Sequence, residues 1–364
     1  MTSFKIVPQI KNCDSFDDFL AEYKLCQKDL ILTDRFLLDT YIFPKNLPCA
    51  VIAQDDFGGG EPTSEKVKKI LEQARKYDYN RVIAIGGGTA IDISKILVLS
   101  GIQNLFNLFT GKEAPCRERE LIIIPTTCGT GSEITNISIV AFEEEGTKLG
   151  LANDSIYADT AVLIPEFLEN LPYKVFMFSS VDALIHAVES YLSPLASVQS
   201  DFFAKEAIKI ILSAYLHIEK NGKDSKKDVA KDVLTASNYA GIAFSNAGCG
   251  LIHAMSYPLS GEYHIPHGEA NYMMLAPILN FYGKRAPGGR FDSLKIFFKN
   301  CGVADVNSLI SKLIEIKPLS SYGADKNTLI TFAEQVIKSQ QRLLARSYVL
   351  PGETEMVGIY NKIL

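Results

Sequence analysis

The 364-residue chain has no tryptophan, only five histidines, and no two cysteines at the C-x-x-C spacing. Its seven cysteines, Cys13, Cys26, Cys49, Cys116, Cys128, Cys249 and Cys301, are odd in number and widely spaced. That argues against a disulfide framework or a thiolate zinc site and fits a reducing compartment. No basic block stands out: Lys+Arg is 37 against 42 Asp+Glu, a net charge of -5. A mildly acidic chain without a basic stripe is poorly suited to nucleic acid or to an anionic membrane surface. No apolar run approaches the ~18 residues of a membrane span, so none is expected. The first twenty residues lack the apolar core of a secretory signal, which makes a cytoplasmic location the expectation. With 47% apolar residues the chain can bury a large core, and its length favours two domains.

What is present divides into two halves. In the first, strand-like and helix-like segments alternate. DLILT (Asp29–Thr33), CAVIA (Cys49–Ala53), RVIAI (Arg81–Ile85) and ELIIIP (Glu120–Pro125) are short runs apolar on both faces. Between them, Glu65–Lys76 and Thr89–Ser100 place apolar residues at helical spacing. Such a rhythm predicts a parallel sheet covered by helices. In the second half, long helical patterns dominate: Phe176–Leu192, Ser200–Ile218, Lys226–Phe244, Leu251–Tyr257 and Leu329–Leu344. The charged stretch Lys220–Lys231 is expected to be a solvated loop running into a helix. The division is placed within Glu166–Lys174, where Leu171-Pro172 punctuates the chain. The expected fold is an α/β amino-terminal dinucleotide-binding domain over 1–172, Rossmann-like with a parallel sheet, followed by an all-α domain over 173–364.

Gly86-Gly87-Gly88 follows a strand and opens a helix that carries Asp92. Three glycines let the backbone approach a ligand without Cβ clashes, and a helix start offers unpaired N–H groups to a pyrophosphate. The run is neither GxGxxG, since Ile91 stands where the third glycine belongs, nor a Walker A loop. A second small-residue loop, Thr126-Thr127-Cys128-Gly129-Thr130-Gly131-Ser132-Glu133, follows the strand at Glu120–Pro125. Its hydroxyls suit a phosphate or ribose, or equally the cap of a following helix. Asp34, just past DLILT, can accept hydrogen bonds from ribose hydroxyls or serve as a helix N-cap.

All five histidines fall between His186 and His267. Asp182 and His186 are four apart in a helical pattern and share one face. His253 lies among glycines and alanines, and His267 follows a proline at a loop or helix start. One carboxylate with three imidazoles suits Fe²⁺ or Zn²⁺. Glu189 can join that face or hold a ligand histidine in place. His264 is a substrate or proton-relay residue, or a surface residue, and His217 is read as structural.

Four segments together resemble the iron-containing alcohol dehydrogenase family: GGGTAIDISK (Gly86–Lys95), PTTCGTGSEIT (Pro125–Thr135), DALIHAVESY (Asp182–Tyr191) and Asn246–Asn271. The resemblance covers nearly the whole chain. It implies a dinucleotide-binding α/β domain, a helical domain, NAD as cofactor, and Fe²⁺ (or Zn²⁺) held by Asp182, His186, His253 and His267. It further implies that Gly86, Gly87, Gly88 and Asp92 hold the pyrophosphate, that Thr126, Thr127 and Thr130 lie along the cofactor, and that Lys148 reaches a ribose. Asp34 matches the family's acidic residue near the adenosine ribose, which implies NAD over NADP. Within the family, SYPLSGEYHIPHGEANY, PTTCGTGSEITNISI and QQRLLARSYV are similar to the 4-hydroxybutyrate dehydrogenases.

Many family members carry a histidine where this chain has Tyr257, so a relay built on that histidine does not carry over. The proton is then left to water, ribose hydroxyls, His264 or Tyr257. A carboxylate-bearing alcohol or aldehyde needs a cation, for which Arg342, Arg346 and His264 are the candidates. Reversible oxidation of 4-hydroxybutyrate to succinate semialdehyde is the expected reaction. The alternatives are a butanol-type alcohol dehydrogenase, a metal- and NAD-using lyase of the sugar-phosphate cyclase type, and a non-catalytic NAD-binding protein. A homo-oligomer, dimer or larger, is also implied.

Overall fold

A computed structural model describes residues 4–364. Two compact units make up the chain: Ile6–Asn170, and Leu171–Leu364 joined by the amino-terminal residues up to Lys5. Phe4 stacks on Phe203 with ring centroids 5.8 Å apart, and the Lys5 backbone N–H donates to Asn246 Oδ1 at 2.7 Å. These residues therefore belong with the helical unit, although the sequence reading grouped them with the first domain.

The first unit holds eight strands of four to six residues: β1 (Gln9–Asn12), β2 (Asp29–Thr33), β3 (Ala50–Ala53), β4 (Arg81–Gly86), β5 (Glu120–Pro125), β6 (Ile137–Phe142), β7 (Thr147–Ala152) and β8 (Thr160–Leu163). Six form one sheet in the order β1-β8-β5-β4-β2-β3, every neighbour parallel. Every residue of β2, and every residue of β5 after Glu120, is buried, because both faces of a parallel sheet are covered. Asp29, a charge at the start of a buried strand, is satisfied by Arg81, whose Nε and Nη2 donate to its two oxygens at 2.8 and 2.9 Å. From β2 the chain goes outward to β3 and then crosses to β4 on the other side of β2. The strand order thus reverses between β2 and β4, and ligands of open α/β sheets bind beyond the carboxyl ends of strands at such a point.

The longer helices of this unit are α1 (Phe16–Tyr23), α2 (Ser64–Ala74), α3 (Gly88–Leu97) and α4 (Leu105–Phe109). The helix expected over Thr89–Ser100 ends at Leu97, because Leu99–Ser100 turns into a short antiparallel pairing with Cys116–Arg117. β6 and β7 form an antiparallel hairpin apart from the main sheet, an element the sequence reading did not foresee.

The second unit begins with α5 (Tyr173–Leu192), α6 (Val198–Asn221), α7 (Ala230–Ala247), α8 (Leu251–Tyr263) and α9 (His267–Arg285). It continues with α10 (Gly289–Asn300), α11 (Val306–Leu313), α12 (Lys326–Ser339), α13 (Gln341–Leu344) and α14 (Glu353–Tyr360). α5, α6 and α7 pack mutually, and α8 and α9 pack on α5. Contrary to the expectation that no segment approaches a membrane span, α5 is long and apolar enough for one. However, 89% of its apolar window is buried inside this unit, as in a core helix. The stretch expected as a solvated loop contains a 3₁₀ segment, Lys223–Val229, with Lys226 and Val229 buried and the Lys226 ammonium 5.8 Å above the Phe176 ring.

Candidate functional site

α5 brings Asp182, His186 and Glu189 onto one buried face, with exposures of 3%, 5% and 4%. His253 enters from the first turn of α8 and His267 from the first residue of α9. The approach of α9 needs glycine at position 268. A Cβ there would lie 2.3 Å from the Phe178 backbone oxygen, so α9 meets α5 closely where His267 is held.

Asp182 Oδ1 lies 3.6 Å from His253 Nε2 and 3.7 Å from His267 Nε2. Asn271, one turn after His267, donates from Nδ2 to the same oxygen at 2.7 Å, and that nitrogen is 3.1 Å from His267 Nε2. Glu189 accepts from the backbone N–H of Gly250 at 3.0 Å and of Ile252 at 2.6 Å, and lies 2.6 Å from His253 Nδ1. A carboxylate here satisfies open donors at the start of α8 and complements its dipole. It also fixes which nitrogen of His253 faces the site.

The four expected ligands fall into two neighbouring groups that share His253. Asp182, His253 and His267 bring their donor atoms within 4.8 Å of one another, whereas His186 does so with Cys249 and His253. The His186 ring is stacked between Phe244, at 4.3 Å, and His253, at 4.6 Å. Burial works to raise the Asp182 carboxyl, but His186, His267 and His253 outweigh it and hold the group well below the usual carboxylate range. Burial works to lower His253, yet Cys249, Asp182 and Glu189 outweigh it and raise the imidazole. The Cys249 thiol, pushed up by burial, is brought down to about 7 by His253 and His186.

The donors fit a divalent ion. His253 Nε2 and Asn271 Oδ1 are buried with no hydrogen-bond partner. A buried lone pair without a donor costs about 1–3 kcal/mol, and a bound cation offsets that cost. Two imidazoles and a carboxylate make up a donor set common at Fe²⁺.

Sequence reasoning missed Asn271 and Cys249. Asn271 had a signal, its place four residues after His267 on a helix. Cys249 had none beyond its nearness to His253 in sequence. Tyr257 sits one turn after His253, its ring 6.0 Å from that of His267, and burial raises its hydroxyl. His264 is exposed and caps α8 in the left-handed conformation at φ 53. Arg342 is exposed on α13, which packs on α8, and its charge bears on the Tyr257 hydroxyl.

In the α/β unit, the residues expected at a cofactor gather past the carboxyl ends of β2, β4 and β5. A Cβ on Gly86 would meet Ala90 Cβ at 2.6 Å and Asp34 Oδ2 at 3.2 Å, so only glycine lets this turn close. Thr127 and Thr130 lie against Gly87 and Gly88, and the Thr126 backbone N–H donates to the Gly86 carbonyl at 3.1 Å. Asp34 stands at an N-cap position but makes no side-chain cap bond. It accepts from Gln54 Nε2 at 2.5 Å, and burial raises its carboxyl.

Asp92 is engaged by the protein itself. It accepts from Ser132 Oγ at 2.8 Å and from the Ile139 backbone N–H at 2.9 Å, with the buried Lys95 ammonium 3.9 Å away. A carboxylate would repel a pyrophosphate, and this one ties α3 to the threonine loop and the hairpin. Lys148, expected at a ribose, is ion-paired with Glu61.

An open glycine turn at the reversal of a parallel sheet, and a helical unit with a buried carboxylate–histidine cluster, are the plan of a metal-holding dehydrogenase. Comparison with known proteins agrees. Residues 5–165 match the family described as iron-containing alcohol dehydrogenase, and residues 176–364 match the Fe-containing alcohol dehydrogenase family, C-terminal. The chain belongs to the iron-containing alcohol dehydrogenase family.

A 4-hydroxybutyrate dehydrogenase from Clostridium kluyveri is 41% identical over 370 residues, covering 100% of both chains. A sulfoacetaldehyde reductase from Bilophila wadsworthia is 36% identical over 78% of this chain and 76% of its own. Among solved structures, a sulfoacetaldehyde reductase from Bifidobacterium kashiwanohense in complex with NAD+ has a TM-score of 0.87. It is 22% identical, with 100% of this chain and 98% of that one covered. At that identity the likeness speaks for the fold.

Proposed function

We propose that this chain catalyses the NAD-dependent, reversible oxidation of 4-hydroxybutyrate to succinate semialdehyde, with hydride passing to or from the nicotinamide. The observation that carries the reading is the 41% identity, over the whole length, to an enzyme named for that substrate.

Asp182, His186, His253 and His267 hold the divalent ion, iron in the family's usual form and zinc as the alternative. When bound, such an ion supplies Lewis acidity that acidifies an alcohol and polarises a carbonyl. Glu189 keeps Nδ1 of His253 occupied and leaves Nε2 facing the donors. Asn271 steadies Asp182 and His267. Tyr257 is the proton-handling group, since it stands beside the cluster and His264 is exposed.

On the α/β unit, Gly86, Gly87 and Gly88 let a pyrophosphate approach the start of α3, with Thr126, Thr127 and Thr130 along the nucleotide. Asp34 accepts from ribose hydroxyls and opposes a 2′-phosphate, which supports NAD over NADP. Asp92 positions these loops through Ser132 and Ile139. Lys148 reaches a ribose only by releasing Glu61.

The substrate carboxylate is met by Arg342, with Arg346 one turn further along the chain. Arg342 is exposed, and burial with the neighbouring Arg342 charge lowers Arg346. Charge-assisted bonds contribute about 1.5–3 kcal/mol. Arg342→Ala should therefore raise KM for succinate semialdehyde about tenfold to hundredfold and leave KM for butanal unchanged. Equal effects on the two substrates sink this assignment. Assembly into dimers or larger and a cytoplasmic location belong to the same proposal, the first read by sedimentation.

The deciding experiment follows NADH consumption by anaerobically iron-loaded protein, with succinate semialdehyde and butanal side by side. Strong preference for the semialdehyde is expected. Equal rates, or a preference for butanal, would leave a general alcohol dehydrogenase. No consumption with either would point to the lyase or the binding protein.

A further inference from the structure

Three polar groups on neighbouring elements of the α/β unit are buried without a hydrogen-bond partner among the described residues. They are Thr33 Oγ1 at the end of β2, Gln54 Oε1 just past β3, and Lys66 Nζ in the first turn of α2. The lysine stands out, because an ammonium is rarely buried unless it is paired. Lys66 is 3% exposed, whereas Lys68 and Lys69 of the same helix lie in solvent. A charge kept inside without a bond of its own answers another charge nearby.

α2 packs on the 3₁₀ segment Gln54–Phe57, which supplies that setting. Gln54 Nε2 donates to Asp34 Oδ1 at 2.5 Å, and Asp55 Oδ1 accepts from the Arg35 backbone N–H at 2.8 Å. The Arg35 side chain turns to Asp56 and Asp39 instead. Burial lowers the Lys66 ammonium, and Asp34 and Asp55 act against that lowering. Seen from Asp34, burial raises the carboxyl. Gln54, Lys66 and the Gly87 backbone pull it down, and Asp55 pushes it up. Oδ2 of Asp34 lies at the glycine turn, 3.2 Å from the place of a Cβ on Gly86.

We propose that Gln54 and Lys66 are positioning residues for the nucleotide: Gln54 aims the Asp34 carboxylate and Lys66 supplies its counter-charge, so that a buried side chain behind Asp34 helps to set the choice between NADH and NADPH. The proposal rests on reading Asp34 as the ribose acceptor. With Lys66 in place Asp34 stays a carboxylate, accepts from ribose hydroxyls and repels a 2′-phosphate. Without Lys66, burial and Asp55 meet less opposition. The carboxyl then takes a proton from solvent at higher pH, and the repulsion fades as pH falls.

The test titrates the full chain with NADH and with NADPH, followed by nucleotide fluorescence between about pH 8 and about pH 6. Lys66→Met keeps much of the side chain's length and removes the charge. The ratio of NADPH to NADH affinity should climb about threefold to tenfold more over this range in Lys66→Met than in wild type. Protonation of the 2′-phosphate is common to every variant, so the difference between slopes carries the answer. Lys66→Arg should restore the wild-type slope. Gln54→Leu, which removes the donor to Oδ1, should steepen it as Lys66→Met does. In an Asp34→Asn background, Lys66→Met should no longer change the slope.

A lysine with a merely structural role would weaken both nucleotides alike and leave the slope as in wild type. Equal slopes in wild type and Lys66→Met, with a raised ratio in Asp34→Asn, overturn the proposal and leave the reading of Asp34 standing. An unchanged ratio in Asp34→Asn overturns both.

Discussion

Glu189→Gln is the sharpest test of how the metal donors are positioned. The carboxylate accepts three hydrogen bonds with only its own oxygens. Oε1 serves Ile252 N–H at 2.6 Å, and Oε2 serves Gly250 N–H at 3.0 Å and His253 Nδ1 at 2.6 Å. An amide of the same shape has one oxygen. Placed at the Oε2 position, that oxygen leaves the NH₂ against the Ile252 N–H, donor facing donor. Placed at Oε1, it sets the NH₂ against the Gly250 N–H and makes His253 Nδ1 an acceptor, which moves the ring proton to Nε2.

Either way a buried donor is stranded, at a cost of about 1–3 kcal/mol in stability. In the second arrangement the ligand nitrogen is also blocked. Substitutions that remove a metal ligand's hydrogen-bond partner weaken binding about 10–100-fold, which is about 1.4–2.8 kcal/mol. The expected result is an iron affinity lower by that factor in anaerobic chelator competition, with far-UV circular dichroism unchanged. An affinity within about twofold of wild type, some 0.4 kcal/mol, would refute the reasoning. It would mean that the tautomer of His253 is set by something other than Glu189.

Three further outcomes are expected. Gly268→Ala places a Cβ 2.3 Å from the Phe178 oxygen, so α9 must shift at His267. A lower Tm together with weaker metal binding is expected, and wild-type values for both would show that the crossing tolerates a methyl group. Asp34→Ser removes the charge that opposes a 2′-phosphate. The NADPH/NADH ratio of kcat/KM should rise about tenfold, roughly 1.4 kcal/mol, and an unchanged ratio refutes the role given to Asp34.

The third concerns Lys95, whose ammonium is buried and lowered from 10.5 to about 8. Burial is the main cause, against Asp92 and Glu133. Between those values the unfolded chain holds a proton that the folded one has released, so stability rises with pH across that window. The burial penalty is full below pH 8 and relieved by 10.5, a change of about 3 kcal/mol. Urea unfolding of wild type and Lys95→Met should diverge by that amount over this range. Parallel curves would show that Lys95 does not titrate there.

The segments legible in the sequence were those whose pattern had one physical solution. DLILT and ELIIIP each hold an unbroken apolar run, Leu30–Leu32 and Leu121–Pro125, as strands covered on both faces must, and they became β2 and β5. The run from Phe176 to Leu192 repeats apolar residues at helical spacing, and it became α5 with Asp182 and His186 on one face. The hairpin β6–β7 was less visible, although ISIVAF alternates in burial as a half-covered strand does and Gly146 turns the chain at φ 61. Its signal lies in period two and in one turn residue, weak beside the continuous apolar runs around it.

At the site, residue type was legible and partnership was not. Asp92 and Lys148 carry suitable chemistry, yet apart from Lys95, three residues on along the same helix, their partners Ser132, Ile139 and Glu61 are brought close only by the fold. Cys249 and His186 are 63 positions apart in sequence, and nothing in either segment foretells that their donor atoms meet.

Glycine shows why such partnerships stay hidden. In the sequence Gly86 and Gly268 read alike, as residues at the start of a helix. At Gly86 the missing side chain makes room for Ala90 and Asp34, which lets the β4–α3 turn close where a nucleotide phosphate is expected. At Gly268 it makes room for the backbone of α5 and sets the depth at which the neighbouring His267 meets Asp182. Neither position is explained by conformational freedom alone, since the φ of neither lies in the left-handed region. In both cases close approach is the requirement. It depends on the neighbouring element's backbone or side chains, so the local sequence records only that a side chain is absent and not what fills its place.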